Sequence, residues 1–349
     1  MGLRIVLTSV HAWPGVHRGA ERYVHELSSA LQDAGHDVRV LATGAPRRDL
    51  QLGVPVRRLT PRGPARHGAR GREGVFGLQA LVLEGLRRTD VWHATSTGDG
   101  AAAAAAGRLR PGLRTVFTDH GFPVRRSREQ RGDAGLHARV VGGVDHYVCV
   151  SAAAGAYLQS EYGRTADVVP PGVDTAVFRP GPGRASRPVV LYSGDLAESR
   201  KGVRTLVEAV ARLEGVTLRL AGPGTPDLSG LPTAHVEVLG LVDLAELPRL
   251  YREAWVTALP SVAESFGMAL SESLACGTPG VARRDGGGPV EVLDEATGVL
   301  CGAGVPELTH ALAQALTMTP AAADACRERA RRWDWRTAVV PALERLYAA

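Results

Sequence analysis

The chain has 349 residues, of which 44% are hydrophobic and 22% charged, and its formal net charge is +5. This composition is ordinary for a globular protein, and the length predicts two domains of roughly 150 to 200 residues each. No run approaches the roughly 20 apolar residues of a membrane span. We interpret the start, MGLRIVLTSVHAW, as a first strand rather than a signal peptide, which predicts a cytoplasmic protein. The cysteines are widely spaced, which predicts reduced thiols rather than a disulfide framework.

Positive charge is concentrated in the first half of the chain. Residues 1–170 hold 23 basic and 15 acidic side chains, whereas residues 171–349 hold 18 and 21. The first half therefore suits an anionic acceptor or an anionic membrane surface. Its segment Arg57–Arg72 holds six arginines without interleaved aromatic residues, which argues against single-stranded nucleic acid. That segment is either a solvated, mobile loop or a contact with acceptor or membrane.

Apolar, β-branched runs alternate with helical periodicity along both halves, which predicts two doubly wound α/β domains. The predicted strands of the first half are Leu3–Val10, Asp37–Ala42, Val54–Leu59, Asp90–Ala94, Arg114–Thr118 and Asp145–Ser151. Its predicted helices are Ala20–Ala34, Val75–Arg88, one that contains the alanine run 101–106, and Ala152–Tyr162. In the second half we predict strands at Val189–Tyr192, Thr217–Ala221, Val236–Leu239, Trp255–Leu259 and Pro279–Ala282, and helices at Val203–Leu213, Leu244–Ala254, Phe266–Ala275 and Ala338–Tyr347.

The proline- and glycine-rich segment 167–188 separates the two halves. We predict a first domain over residues 1–172, a linker over 173–188, and a second domain over 189–332. The remaining segment, 333–349, contains two tryptophans that are large enough to anchor it by docking.

Two histidines fall at the carboxyl ends of predicted strands, His93 and His120. A parallel sheet would direct both toward one crevice, where open α/β sheets bind ligands. His93 is open between a core residue and a site residue, whereas His120, which Gly121 follows, is the stronger candidate. Gly19, beside a helix start, either lets an anionic group approach the backbone or makes an ordinary tight turn.

The stretch Pro260–Glu291 reads as strand end, turn, helix and strand, and it carries Glu264 and Glu272. If all eight intervening steps were helical, the two carboxylates would lie roughly 12 Å apart along the axis. A retaining glycosidase needs its carboxyl pair about 5 Å apart. The two are therefore predicted to contact different parts of one long ligand, with a helix N-terminus between them.

Several motifs together resemble glycosyltransferase family 4, which comprises retaining, nucleotide-sugar-dependent transferases of the GT-B fold. The motifs extend over nearly the whole chain and are HRGAERYVHELSSALQDAGHDVRVLAT, TDVWHAT, TDHG, VCVSAAA, VVPPGVDTAVFRP, RKG and PSVAESFGMALSESLACGTPGV. The last one matches the family's Glu-x(7)-Glu signature with Glu264 and Glu272. The resemblance implies two Rossmann-like domains that face a deep crevice, with a C-terminal helix in 333–349 that packs back on the first domain.

The resemblance also implies the roles of individual residues. Lys201, the only lysine in the chain, would neutralise the donor diphosphate, and His120 and Glu264 would contact the donor sugar at the reacting centre. Glu272 would hold the ribose hydroxyls. The implied catalytic residues are thus His120, Lys201 and Glu264, and the implied donor-binding residues are Gly19, Arg200, Lys201, Ser265, Phe266, Gly267, Met268 and Glu272.

One departure from the family pattern concerns the diphosphate. Asp195 stands where the family usually has an arginine, six residues before Lys201. An aspartate that faced a diphosphate would repel it, so Asp195 must point away or be compensated, and Arg200 is the candidate for the compensation. The loop also reads Gly19-Ala20 where two glycines are common, and Pro171 replaces a frequent asparagine.

The implied function is retaining transfer of a sugar from a UDP- or GDP-sugar to a hydroxyl of a saccharide, lipid or small-molecule acceptor. No metal is expected, because no Asp-x-Asp stands in a metal-binding loop and GT-B enzymes do not generally need one. A peripheral contact of the first domain with an anionic membrane is a further expectation. The alternatives are a GT-B phosphorylase or nucleotide-sugar epimerase, and a non-catalytic nucleotide-sugar binder.

Overall fold

A computed structural model describes residues 2–11, 19–44, 47–51, 53–60, 68–85, 87–124, 133–318 and 321–349. The strands are β1 Arg4–Ser9, β2 Asp37–Thr43, β3 Arg47–Gln51, β4 Val54–Leu59, β5 Val91–Ala94, β6 Arg114–Asp119, β7 His146–Cys149, β8 Asp167–Val168, β9 Val189–Ser193, β10 Thr217–Ala221, β11 Val236–Gly240, β12 Val256–Leu259, β13 Gly280–Arg283 and β14 Gly298–Cys301. The α-helices are α1 Gly19–Asp33, α2 Gly68–Gly85, α3 Thr97–Leu109, α4 Ala134–Val141, α5 Ala152–Tyr162, α6 Val203–Val210, α7 Leu247–Glu253, α8 Met268–Ala275, α9 Pro289–Val292, α10 Val305–Leu316, α11 Ala321–Ala330 and α12 Val340–Ala348.

The chain forms two compact units, one made of Met1–Pro170 with Val339–Ala349 and the other of Pro171–Ala338. The sheet of the first unit has the order β3-β4-β2-β1-β5-β6-β7-β8, and that of the second has the order β11-β10-β9-β12-β13-β14. Among the described residues, every strand pair is parallel except β3 with β4. In both sheets a central strand pairs with one strand that follows it directly and one that comes later, as in doubly wound folds. The predicted fold class is therefore confirmed.

The antiparallel edge strand β3 departs from the all-parallel prediction. Its sequence, RRDLQ, has no apolar run that would predict a buried strand. An edge strand pairs on one side only, so its sequence need not be as apolar as that of a central strand.

A loop was one of two interpretations of the basic segment Arg57–Arg72, but both ends of the segment belong to regular elements. Strand β4 continues to Leu59 and α2 begins at Gly68, while residues 61–67 lie outside the described part of the chain. The predicted helix Val75–Arg88 covers the later part of α2 and misses its start, and one glycine of α2 serves its packing against α3. A Cβ on Gly77 would lie 2.3 Å from the carbonyl oxygen of Gly98, so the two helices approach closely there. Tertiary packing outweighs the low helix propensity of glycine.

The C-terminal helix α12 belongs to the first unit, as predicted. His36 Nε2 lies 2.9 Å from the Glu344 carboxylate, and the Tyr347 hydroxyl lies 2.7 Å from His93 Nδ1. Tyr347 is buried in that unit. The helix is thus held by polar contacts at two positions one turn apart.

Candidate active site

The second unit brings two of the predicted site residues to the centre of its sheet. Strands β9 and β12 are neighbours there, and the strand order reverses between them. The chain leaves β9 toward the short 3₁₀ helix Ser199–Lys201 and leaves β12 toward Glu264. Ligands of open α/β sheets bind outside the carboxyl ends of the strands at such a reversal. The position in the fold thus points to the segments that carry Lys201 and Glu264.

Lys201 and Glu264 form an ion pair across these two segments. The ammonium nitrogen lies 2.7 Å from Glu264 Oε2, and each side chain is only 14% exposed. A pair so shielded from water is screened less than a surface pair. An ammonium group has three N–H donors, so Lys201 can hold the carboxylate and a second anionic oxygen together.

The backbone forces these two segments together. Gly202 has a φ of +73°, and a Cβ there would lie 2.8 Å from the carbonyl oxygen of Pro260. Glycine adopts this left-handed conformation without the steric cost of a side chain. The amide of Val262 also donates to the carbonyl of Arg200 at 2.8 Å. The Lys-Gly pair is therefore explained by packing: the glycine lets the lysine segment approach the glutamate segment.

Glu264 follows a strained turn. Ala263 has a φ of 52° and is the one non-glycine residue with a positive φ in the described chain. Such a residue costs of order 1 kcal/mol and persists where the surroundings hold it. Here the amide of Gly288 donates to the carbonyl of Glu264 at 2.9 Å. A Cβ on Gly288 would lie 2.2 Å from the Ser265 carbonyl oxygen, so a glycine is required at this position for the close approach.

Asp195 and Arg200 occupy the loop between β9 and Lys201. The Asp195 carboxylate accepts the backbone amides of Ala197 at 3.0 Å and Glu198 at 3.2 Å, so its charge is engaged within its own turn. The Arg200 guanidinium pairs with Glu198 at 2.5 Å and lies 4.0 Å from Glu264. Asp195 is therefore a turn-forming residue in this loop, and Arg200 lies beside the Lys201–Glu264 pair.

The residues after Glu264 form the N-terminus of α8. Gly267 caps this helix with a φ of 101°, and Met268 is its first residue. Phe266 is 2% exposed and packs edge-on against Trp333 with ring centroids 5.6 Å apart. Ser265 is partly buried. The segment is thus anchored by one aromatic contact, and the first amides of α8 lie at a helix N-terminus, which favours anions.

Glu272 lies in the middle of α8 and has a different partner from Glu264. Glu272 is only 3% exposed, and its Oε2 accepts a hydrogen bond from the Tyr251 hydroxyl at 2.8 Å. The two signature glutamates therefore have different partners, Lys201 for Glu264 and Tyr251 for Glu272, in line with the expectation that they are not an adjacent catalytic pair. Sequence reasoning missed Tyr251, because a buried tyrosine on α7 looks like an ordinary core residue.

In the first unit, His120 follows β6 and packs against α1. Its ring contacts the ring of Tyr23 edge-on, with centroids 4.5 Å apart. Gly19, an exposed residue, begins α1 one turn before Tyr23, so this helix links the two predicted site residues. Burial lowers the pKa of His120 to about 4. The imidazole is therefore neutral near pH 7, and a neutral ring can both donate and accept a hydrogen bond.

His93, whose sequence position leaves it open between a core residue and a site residue, is a core residue. It is fully buried, and its two ring nitrogens lie 2.7 Å from the Tyr347 hydroxyl and 2.7 Å from Thr118 Oγ1. Burial lowers its pKa to about 3, so the ring is neutral. His93 joins the C-terminal helix to the strand that leads to His120.

Two absences hold for the described residues only. Within them, no three His, Cys, Asp or Glu side chains are grouped closely enough to hold a metal ion. In the same part of the chain, no helix combines the length and the apolar character that a bilayer crossing requires.

Two family models match the chain. The model described as Glycosyltransferase Family 4 matches residues 17–177, and the model described as Glycosyl transferases group 1 matches residues 187–318. The D-inositol 3-phosphate glycosyltransferase of Acidothermus cellulolyticus is 32% identical in an alignment 360 positions long, which covers 85% of this chain and 79% of that protein. The protein of the same name from Segniliparus rotundus is 38% identical over 180 residues, a match that spans 44% of this chain and 39% of that protein's length.

Solved structures with the same fold extend over nearly the whole chain. Sucrose-phosphate synthase from Thermosynechococcus elongatus has a TM-score of 0.85 at 23% identity, with 99% of this chain and 98% of that one covered. Anabaena HepE in complex with UDP-glucose has a TM-score of 0.80 at 19% identity, with 99% and 100% covered. At these identities the likeness establishes the fold alone.

Proposed function

We propose that this chain, which belongs to glycosyltransferase family 4, transfers a sugar from a nucleoside diphosphate sugar to a hydroxyl group of an anionic acceptor. The family comprises retaining transferases of the GT-B fold that use nucleotide-sugar donors, so the predicted family and donor class are confirmed. The observation that carries the reaction is the Lys201–Glu264 ion pair at the strand-order reversal of the second sheet.

The second unit is proposed to bind the donor. The diphosphate would lie against Lys201, beside Arg200 and the first amides of α8, because these groups supply positive charge and N–H donors. Glu264 would contact the donor sugar and Glu272 the ribose. A uridine nucleotide is the first to test, since the fold neighbour HepE was solved with UDP-glucose.

In the proposed reaction the bond between the anomeric carbon and the diphosphate oxygen breaks, and the acceptor oxygen bonds to the same face of that carbon. The acceptor proton passes to the departing phosphate oxygen, and the nucleoside diphosphate leaves. Lys201 stabilises the negative charge that develops on the leaving group, which is an interaction stronger in the transition state than in the ground state. His120, neutral near pH 7, would hold a sugar hydroxyl as donor or acceptor.

The first unit is proposed to bind the acceptor. Its half of the sequence has the excess of basic residues, and this charge favours an anionic substrate by raising its local concentration. The curated relatives are named D-inositol 3-phosphate glycosyltransferases. D-inositol 3-phosphate is therefore the acceptor to test first.

A thermal-shift screen followed by a transfer assay tests the function. We expect UDP or GDP to raise the melting temperature, and labelled sugar to move from the matching nucleotide sugar to the acceptor with retention of configuration. Label that passes to inorganic phosphate, or a donor epimerised at C2, would assign the chain to the alternative enzyme classes. If nucleotide stabilises the protein but no saccharide, lipid or small-molecule acceptor receives sugar, the chain would be assigned to the non-catalytic binders.

Metal independence is proposed as well. Lys201 and a helix N-terminus supply the positive charge that Mg²⁺ supplies to diphosphates in metal-dependent enzymes. We expect the same initial rate of transfer with EDTA as with MgCl₂ or MnCl₂. A loss of turnover in EDTA that either cation restores would contradict this.

A contact with anionic membranes is a second proposal, and a surface feature of α2 favours it. Leu78 and Val82 lie one turn apart on this helix and are 62% and 66% exposed. Exposed arginines Arg87 and Arg88 follow the helix. Apolar side chains beside basic ones suit the boundary of an anionic bilayer.

Vesicle sedimentation tests this contact. We expect the protein to sediment with phosphatidylglycerol vesicles at low salt, and the Leu78→Glu/Val82→Glu variant to remain in the supernatant. The matched control is Val238→Glu/Leu241→Glu, which changes two exposed apolar residues of the second unit and should sediment like the wild type. Equal sedimentation of all three proteins, or none by the wild type, would contradict the proposal.

A further inference from the structure

The second signature glutamate has a partner that the family motif does not contain. Tyr251 lies on α7, is fully buried, and donates its hydroxyl to Glu272 Oε2 at 2.8 Å. Tyr251 and Glu272 are 21 residues apart in the sequence, so the contact is made by the packing of α7 against α8. A hydrogen bond to a carboxylate is shorter and stronger than one between neutral groups.

Tyr251 is itself fixed on two further sides. Its ring packs against Phe178 with centroids 6.0 Å apart, and its backbone carbonyl accepts a hydrogen bond from Thr278 Oγ1 at 2.6 Å. With its backbone held by Thr278 and its ring packed on Phe178, the buried tyrosine is placed to fix the group to which its hydroxyl is bonded. The Glu272 carboxylate is thus oriented before any ligand arrives.

We infer that Tyr251 is a positioning residue for the nucleotide, which acts by orienting the Glu272 carboxylate toward the ribose hydroxyls of the donor. This inference rests on the proposed function, in which Glu272 contacts the ribose. A carboxylate offers about four acceptor positions, so it can accept the tyrosine hydroxyl and ribose hydroxyls together. Without the tyrosine, the carboxylate would lose a hydrogen bond that helps to fix its rotamer, and more of the binding energy would be spent on ordering it.

The test compares two ligands that differ only in the ribose hydroxyls. UDP and 2′,3′-dideoxy-UDP, and likewise GDP and 2′,3′-dideoxy-GDP, are titrated calorimetrically into each protein. In the wild type we expect the ribonucleotide of the recognised base to bind at least about tenfold more tightly than its dideoxy form. In Tyr251→Phe this ratio should fall several-fold, because the ribonucleotide loses affinity and the dideoxy form does not. A merely structural role would weaken both ligands equally and leave the ratio unchanged.

Two further variants keep the result interpretable. Tyr192→Phe removes another fully buried tyrosine hydroxyl of the same unit, one that donates to the Asp195 carbonyl at 3.0 Å, and it should leave the ratio at the wild-type value. Glu272→Gln should lower the ratio by itself, and adding Tyr251→Phe to it should lower the ratio no further. A loss of stability caused by Tyr251→Phe does not disturb this comparison, because the ratio compares two ligands on the same protein and a general loss weakens both equally.

The outcomes separate the inference from the function on which it rests. A wild type that binds none of the four nucleotides overturns the proposed function and the inference together. A wild type that discriminates against the dideoxy form, with Tyr251→Phe that discriminates equally, overturns the inference and leaves the function standing. A wild type that binds both forms equally also overturns the inference.

Discussion

Replacing Lys201 by methionine is expected to lower kcat for sugar transfer by roughly 10²- to 10³-fold, the range seen when one charge-stabilising donor is removed from an active site. Methionine keeps the length of the side chain but removes the charge and the N–H donors. The loss should fall mainly on kcat, because charge builds up on the diphosphate as its bond to the sugar breaks. Initial rates over a range of donor concentrations measure kcat and KM separately.

Two controls show whether the position or merely a positive charge matters. Lys201→Arg keeps the charge but places it on a planar, broader group, so we expect it to recover only part of the activity. Arg204→Met removes an exposed cation three residues away that pairs with Asp227 at 3.2 Å, and it should retain wild-type kinetics. A Lys201→Met enzyme with wild-type kcat and a raised KM would show that the lysine binds the ground state and the transition state equally.

The positions of the strands could be predicted because the central strands are buried on both faces. Runs such as those at β1 and β9 are apolar and β-branched, and four of the five residues of β9 are buried. Strand β3 carries no such signal, because its position at an edge does not require an apolar sequence. Periodicity thus predicted the centre of each sheet better than its edges.

The candidate site, too, could be predicted from the sequence only in part. The motifs predicted that Lys201 and Glu264 matter, but their 2.7 Å contact requires Gly202 to lie against Pro260, which no local pattern reports. Asp195 is the opposite case, because there the sequence indicated a problem and the local structure gives the residue a different role. Its charge suggested a conflict with the diphosphate, whereas its carboxylate is engaged by the backbone amides of its own turn.

Long-range partners were beyond the reach of periodicity. His93 and Tyr347 are 254 residues apart, and each position reads as an isolated polar residue in an apolar segment. Tyr251 is likewise an ordinary helix residue until α7 packs against α8. A sequence pattern reports that a side chain is buried, but it does not report which distant group satisfies its polar atom.

Replacing Glu264 by glutamine is expected to change turnover and nucleotide binding in opposite directions. The carboxylate holds Lys201 at 2.7 Å, so a diphosphate that binds the lysine must share it with the carboxylate or displace the carboxylate. Glutamine keeps the shape and removes the charge that competes with the diphosphate for the lysine. UDP should therefore bind more tightly to this variant than to the wild type. Turnover should fall by roughly 10²-fold, as for the loss of one polar group at a reacting centre.

Calorimetry with UDP and initial rates of transfer measure the two effects in one protein preparation. The matched control is Glu198→Gln, which removes a carboxylate from the same loop that pairs with Arg200 and is 41% exposed. Surface pairs contribute about 0 to 1 kcal/mol, so this variant should stay close to the wild type in both measurements. Weaker UDP binding by Glu264→Gln with unchanged turnover would assign the carboxylate to holding the lysine segment in place. The opposite signs predicted here follow only if Glu264 acts on the donor sugar while it competes with the diphosphate for Lys201.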